Sequence, residues 1–103
     1  MSRGRGLLGM VVTYHPGSDL CANLAALRAQ VDELVVVDNG SRDMAVVERA
    51  VAATGSRLIA NGRNLGIAAA LNQGLELDTE LIDEFCLENE KSSQRMQAVR
   101  PPN

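Results

Sequence analysis

The chain has 103 residues, 46% of them hydrophobic, a formal net charge of −3, one Tyr, one Phe and no Trp. That length holds one domain with a single core, which must be built from Val, Leu, Ala and Ile. Net negative charge and scarce aromatic rings argue against nucleic acid and anionic membranes as partners, because neither phosphate neutralisation nor base stacking is well supplied.

Residues Met1 to Gly6 form a basic, Gly-rich lead, and the first strand is expected from Leu7 to Tyr14, where apolar residues give way to the β-branched Val11, Val12 and Thr13. Arg3 and Arg5 ahead of this run resemble the start of a signal peptide. The run is short, broken by Gly9, and leads into His15-Pro16 instead of a small-residue cleavage site, so a cytoplasmic protein is expected. No segment is long enough to span a bilayer. Gly4-x-Gly6-x-x-Gly9 has the spacing of a dinucleotide fingerprint but precedes the strand, where that fingerprint must follow one.

Pro16 and Gly17 stop the strand, and Ser18-Asp19 offers a helix start. Leu20, Leu24, Leu27 and Val31 recur at helical spacing, which predicts a first helix over about Ser18 to Gln30 with one apolar stripe. Asn23, Arg28 and Gln30 face away from it. Cys21 and Cys86 lack metal-ligand spacing; reduced cytosolic thiols are the simplest reading, with a disulfide or a reactive nucleophile as alternatives.

The second strand, beginning at Asp32-Glu33, is the centre of the chain. Leu34-Val35-Val36-Val37 has no polar alternation, as expected for a parallel strand covered on both faces, and it ends in Asp38-Asn39-Gly40-Ser41. Asp38 therefore falls at the carboxyl end, where open α/β sheets bind ligands. Ligand contact and a turn-forming carboxylate are both open for it.

Met44, Val47 and Val51 predict a second helix stopped at Thr54-Gly55, and Arg57 to Ala60 a short third strand. Asn61-Gly62-Arg63-Asn64 is a loop. From Gly66, Ile67, Leu71 and Leu75 mark a third helix with an inner face of Ala68, Ala69 and Ala70. Glu76 to Glu90 holds seven acidic residues and no basic one, with Leu77, Leu81 and Phe85 still at helical spacing. An acidic amphipathic helix is expected there, followed by a disordered tail from Lys91 to Asn103. The division is a βαβαβα unit over 1–77 and an acidic segment over 78–103.

Four blocks go beyond generic α/β: Val11-Val12-Thr13-Tyr14-His15-Pro16; Asn23-Leu24-x-x-Leu27; Val35-Val36-Val37-Asp38-Asn39-Gly40-Ser41; and Asn61-x-x-Asn64-x-Gly66-Ile67-Ala68-x-Ala70-Leu71-Asn72-x-Gly74. In this order they resemble the amino-terminal, nucleotide-binding half of family 2 glycosyltransferases, nearest the rhamnosyltransferase-like branch that builds surface polysaccharides. The resemblance covers about Leu7 to Leu77. It implies a truncated GT-A domain, a three-layer Rossmann-like parallel sheet of about three strands and three or four helices, and a pyrimidine nucleotide diphosphate sugar, UDP- or dTDP-linked, as ligand.

On that resemblance Asp38 accepts from the pyrimidine N–H, Thr13 and Tyr14 meet base and ribose, and Asn39 and Gly40 of the turn belong to the same nucleotide-binding set. Arg63 meets the nucleotide or a phosphate, and Asn64 and Asn72 shape the same pocket, although a polar cap and a helix-face amide explain these two as well. His15 is read as a loop residue before a catalytic one.

The family also carries a fourth strand ending in Asp-x-Asp, which holds Mg2+ or Mn2+, and later an acidic base. Here Glu76-Leu77-Asp78-Thr79-Glu80 stands in that place, no Asp-x-Asp occurs, and the acceptor half is missing. No metal is therefore expected in this chain, no transfer by it alone, and a truncated product, a cloned fragment or a vestigial protein are the explanations. With a family strand order of 3-2-1-4, loss of strand four would leave the first strand as an open edge, which predicts a homodimer through Leu7 to Tyr14. The alternative function is a non-enzymatic interaction protein whose acidic helix contacts a partner. A phosphoacceptor receiver domain fits poorly, since Tyr14-His15-Pro16 stands where paired acids are needed.

Overall fold

The computed structural model describes residues 8–77, 84–89 and 93–96. Its elements are β1 (Leu8–Tyr14), α1 (Leu20–Arg28), β2 (Glu33–Asp38), α2 (Met44–Thr54), β3 (Arg57–Ala60), α3 (Ile67–Leu77), β4 (Glu84–Asn89) and β5 (Ser93–Met96). They build one sheet in the order β3-β2-β1-β4-β5. β3, β2, β1 and β4 run parallel, and β5 is antiparallel to β4. The fold is α/β and Rossmann-like, as expected, with two more strands than the sequence suggested.

The crossovers explain the layers. The chain steps from β1 to β2 to β3 in one direction, so right-handed connections place α1 and α2 on the same face. It then reverses to reach β4, which sends α3 to the other face. Two apolar clusters follow. Val11, Leu34 and Val36 pack with Leu20, Leu24, Leu27 and Val31 of the α1 region and Val47 and Ala50 of α2. Leu8, Met10, Val12, Val35 and Val37 pack with Ala70 of α3, joined by Ile59 and Leu71. The predicted leucine stripe is buried throughout. Each such leucine contributes about 1.5–3 kcal/mol relative to an exposed one.

Local signals set the helix ends, with one exception. The Asp43 side chain accepts from the Ala45 N–H to start α2, and Gly55 ends it at φ 67°, its N–H returning to the Val51 carbonyl. Asp19 makes no such side-chain cap at α1, which starts from a turn closed by the Leu20 N–H on the Gly17 carbonyl. On α3 only Ala70 of the three alanines is fully buried, whereas Ala68 is exposed and Ile67 is 49% exposed. Successive helical residues turn by about 100°, so three in a row cannot share one narrow stripe.

β4 overturns three expectations. Residues 84–89 are a strand rather than part of an acidic helix, and they pair with β1 from Gly9↔Glu84 to Tyr14↔Asn89. The β1 edge is therefore closed within the chain, and the homodimer through the first-strand edge loses its basis. The acidic helix offered as a partner surface loses it too. The physical cause is that an unpaired β1 would leave a row of buried backbone donors and acceptors, which a strand satisfies and a helix does not. Phe85 has helical spacing from Leu77 and Leu81, whereas Phe85 and Leu87 have the spacing of one strand face, and tertiary pairing chose the strand. Residues from both halves of the expected 1–77 and 78–103 division share this sheet. Residues 93–96, expected within a disordered tail, form β5 instead, because β4 offers them an edge to pair with; the basic lead and the rest of that tail lie outside the described residues, as do 78–83 and 90–92. Among the described residues no helix is long and apolar enough to cross a membrane.

Candidate functional site

Three loops meet at the carboxyl edge of the parallel strands: residues 15–19 after β1, 39–43 after β2 and 61–66 after β3. The chain reverses direction between β1 and β4, and the crevice outside such a point is where open α/β sheets place ligands.

Strand parity decides what each side chain does here. Val36 faces α1 and α2, so Asp38, two residues on, faces the same way, while Val35, Val37 and then Asn39 face α3. Thr13 sits level with Asp38 in the β1–β2 register. Its hydroxyl donates to Asp38 Oδ1 at 2.6 Å, and Ser41 Oγ donates to the same oxygen. Asp38 Oδ2 accepts from the backbone N–H of Gly40 at 3.0 Å and of Ser41 at 2.8 Å. Asp38 and Thr13 are both 0% exposed.

The Asp38 carboxylate thus has four protein donors and ties the β2–α2 turn to the end of β1, with the Thr13 hydroxyl donating to it.

Asn39 lies on the other side. It is 2% exposed, its Nδ2 donates to the Gly66 carbonyl at 3.3 Å, and its Oδ1 accepts from Asn61 Nδ2 at 2.9 Å. Asn61 is in turn paired with Gln73 of α3 through two bonds: Asn61 Nδ2 to Gln73 Oε1 at 3.0 Å and Gln73 Nε2 to Asn61 Oδ1 at 2.7 Å. Three carboxamides thus join the ends of β2 and β3 to α3. Asn61 stood in the family-like block; Gln73 carried no sequence signal.

Gly40 has φ 93°, and a Cβ built on it would lie 2.7 Å from Arg63 Cα. Only glycine permits both that backbone and that approach. The contact seats the 61–66 loop against the β2–α2 turn and leaves the Arg63 side chain exposed. Asn64 is exposed, and its Oδ1 accepts from the Gly66 N–H at 2.8 Å, which shapes the turn into α3. Asn72 is exposed on α3, and the structure does not bring it into the carboxamide cluster.

Tyr14 is 39% exposed at the end of β1, on the α3 side by parity with Met10 and Val12. His15 follows with φ 50°, an uncommon left-handed backbone for a residue with a side chain. Its ring lies 3.9 Å from the Tyr14 ring, its N–H donates to Ser41 Oγ at 3.0 Å, and its Nδ1 accepts from the Arg42 N–H at 3.1 Å. His15, Pro16, Arg42, Asp43 and Val46 line a shallow cleft of about 150 Å³ beside α2, on the far side of the strand edge from Asn39. Cys21 is an exposed free thiol on α1.

Among the described residues no three His, Cys, Asp or Glu side chains gather where a metal ion could sit.

A search of curated proteins finds no match. A family model described as glycosyl transferase family 2 matches residues 10–79, from the core of β1 through α3. That span contains every loop of the carboxyl edge described above, and on it the chain belongs to glycosyl transferase family 2.

Proposed function

We propose that this chain binds a pyrimidine nucleoside diphosphate sugar, UDP- or dTDP-linked, on the α3 side of the sheet's carboxyl edge, and that its 103 residues alone do not transfer the sugar. The observation that carries the reading is the parity of β1 and β2, which puts Tyr14 and Asn39 on one side of that edge with the Arg63 loop beside them. The Asn39 carboxamide is 2% exposed and bonded to Gly66 and Asn61, so it shapes this side of the edge and leaves contact with the base to the exposed groups beside it. The exposed Tyr14 ring supplies a surface for the base or ribose. The exposed Arg63 guanidinium supplies paired donors for the diphosphate.

The absence of transfer rests on the sequence having no Asp-x-Asp. Charge developing on a departing nucleoside diphosphate then has little to neutralise it. Mg2+ or Mn2+ belongs, on this reading, to a family member that carries the metal motif. The four blocks support a rhamnosyl donor and polysaccharide assembly as the setting, and the free Cys21 suits a reducing cytoplasm.

Calorimetric titration of the full chain with UDP, dTDP and GDP, with and without Mn2+, tests this. Saturable heat is expected for a pyrimidine nucleotide and weaker heat for GDP. Arg63→Ala should weaken binding about tenfold, the loss of about 1.4 kcal/mol from a charge-assisted contact, without altering stability. No heat with any nucleotide, or no effect of Arg63→Ala, overturns it. Nucleotide release from UDP- or dTDP-sugars should stay at the blank rate.

A further inference from the structure

We infer that Gln73 is a positioning residue for nucleotide binding: its paired carboxamide contact with Asn61 holds the 61–66 loop so that Arg63 presents to the diphosphate. The inference rests on the nucleotide reading above and adds a residue that touches no ligand.

The loop is bounded by Gly62 at φ 76° and Gly66 at φ 88°, two left-handed positions with nothing within 4 Å of a would-be Cβ. Its path is therefore not dictated by packing at those two points. Contacts at its other residues dictate it. On one side Gly40 abuts the Arg63 backbone. On the other, the Asn61 N–H donates to the Asp38 carbonyl at 2.9 Å, and the Asn61 side chain bridges Asn39 and Gln73. The Gly66 carbonyl accepts from Asn39.

Asn61 and Gln73 meet through two antiparallel amide bonds, a geometry that fixes both the distance and the plane of the pair. Gln73 stands on the first two turns of α3, a helix anchored in the core by Ala70 and Leu71. It is thus the rigid member of the pair, and Asn61 the member whose place is set. Removing it leaves the Asn61 side chain held by Asn39 alone and lets the loop pivot at Gly62, while Gly40 still blocks approach from the turn side.

A change in affinity can be separated from a change in stability. A domain that stays almost wholly folded after losing two hydrogen bonds keeps its apparent Kd unless the bound geometry changes.

The test is Gln73→Leu, which keeps most of the volume and removes both bonds, read by titration with UDP and dTDP and by NMR amide exchange. We expect Kd to rise about tenfold, as for loss of two neutral hydrogen bonds in the positioning network. The Asn61 and Gly66 amides, both hydrogen-bonded here, should exchange at least about fivefold faster, with α1 and α2 amides unchanged. In an Asn61→Ala background, Gln73→Leu should change Kd less than about twofold, because the pair acts as a unit. An unchanged Kd in the single variant, or a full additional loss in the Asn61→Ala background, overturns the inference. If the unaltered chain binds no nucleotide, the nucleotide reading fails instead. The positioning claim is then judged on the ligand-free exchange rates: faster exchange confined to Asn61 and Gly66 upholds the loop role, and unchanged rates refute it.

Discussion

Removing the Asp38 carboxylate should destabilise the fold far more than it affects any ligand, and the order of two substitutions reports why. The carboxylate accepts from two hydroxyls, Thr13 and Ser41, and from two backbone N–H groups, Gly40 and Ser41, at a wholly buried position. In Asp38→Ala the hydroxyls can rotate, but the backbone donors cannot. The buried Ser41 N–H and the half-buried Gly40 N–H, left without partners, cost about 1–3 kcal/mol each at most, and the hydroxyls lose their acceptor as well, so a total of about 3–5 kcal/mol is expected. Asp38→Asn can keep its carbonyl on the two N–H groups and turn its amide toward the hydroxyls, which then accept. Its cost should be nearer 1–2 kcal/mol, the difference between a charged and a neutral acceptor. For a domain of this length total stability is about 5–15 kcal/mol, so the alanine variant sits near the limit of folding. With no Trp, urea unfolding should be followed by far-ultraviolet circular dichroism and extrapolated linearly. A stability loss under about 0.5 kcal/mol for Asp38→Ala, or equal losses for Ala and Asn, would refute the assignment of Asp38 as the tie between β1 and the β2–α2 turn. Abolished nucleotide binding in a fully stable Asp38→Asn chain would return the residue to the ligand.

The same assay checks the other expectations. Gly40→Ala forces φ 93° on alanine and drives its Cβ into the Arg63 backbone, so about 2–4 kcal/mol should be lost, and nucleotide affinity with it. Gly55→Ala shares the left-handed backbone but meets open space, so it should cost only about 1–2 kcal/mol and leave binding intact; equal effects at the two glycines would contradict the crowding argument. Arg57→Ala breaks a 2.9 Å ion pair with Glu33 between β3 and β2, but both side chains are about half exposed, so the loss should stay near 0.5 kcal/mol and shrink in high salt. Leu24→Ala, at the centre of the cluster under α1 and α2, should cost about 2–5 kcal/mol; a value below 1 would mean that the helix is not packed as described.

Most of the fold was legible because it rests on short-range periodicity. The Leu20, Leu24, Leu27 and Val31 stripe, the Leu34 to Val37 run and the Thr54-Gly55 stop each report a local preference, and each element formed where those residues stand. Family membership was legible too, because its blocks are local strings in a set order. The site was legible only as a place. That the end of β2 carries the functional edge follows from four apolar residues ending in Asp38-Asn39-Gly40, but which of these turns inward is a matter of parity relative to layers that do not yet exist in the linear chain.

The sequence by itself determined the strands and helices from β1 to α3, their parallel α/β order, and the family to which residues 10–79 belong. Tertiary structure decided the rest. It paired 84–89 with β1 because exposed backbone donors and acceptors on that edge outweigh a helical stripe. It turned Asp38 toward α2 and Asn39 toward α3 because the reversal of crossover direction puts helices on both faces. And it brought Gly40 onto Arg63 and Gln73 onto Asn61, contacts between residues far apart in the chain that no local pattern encodes.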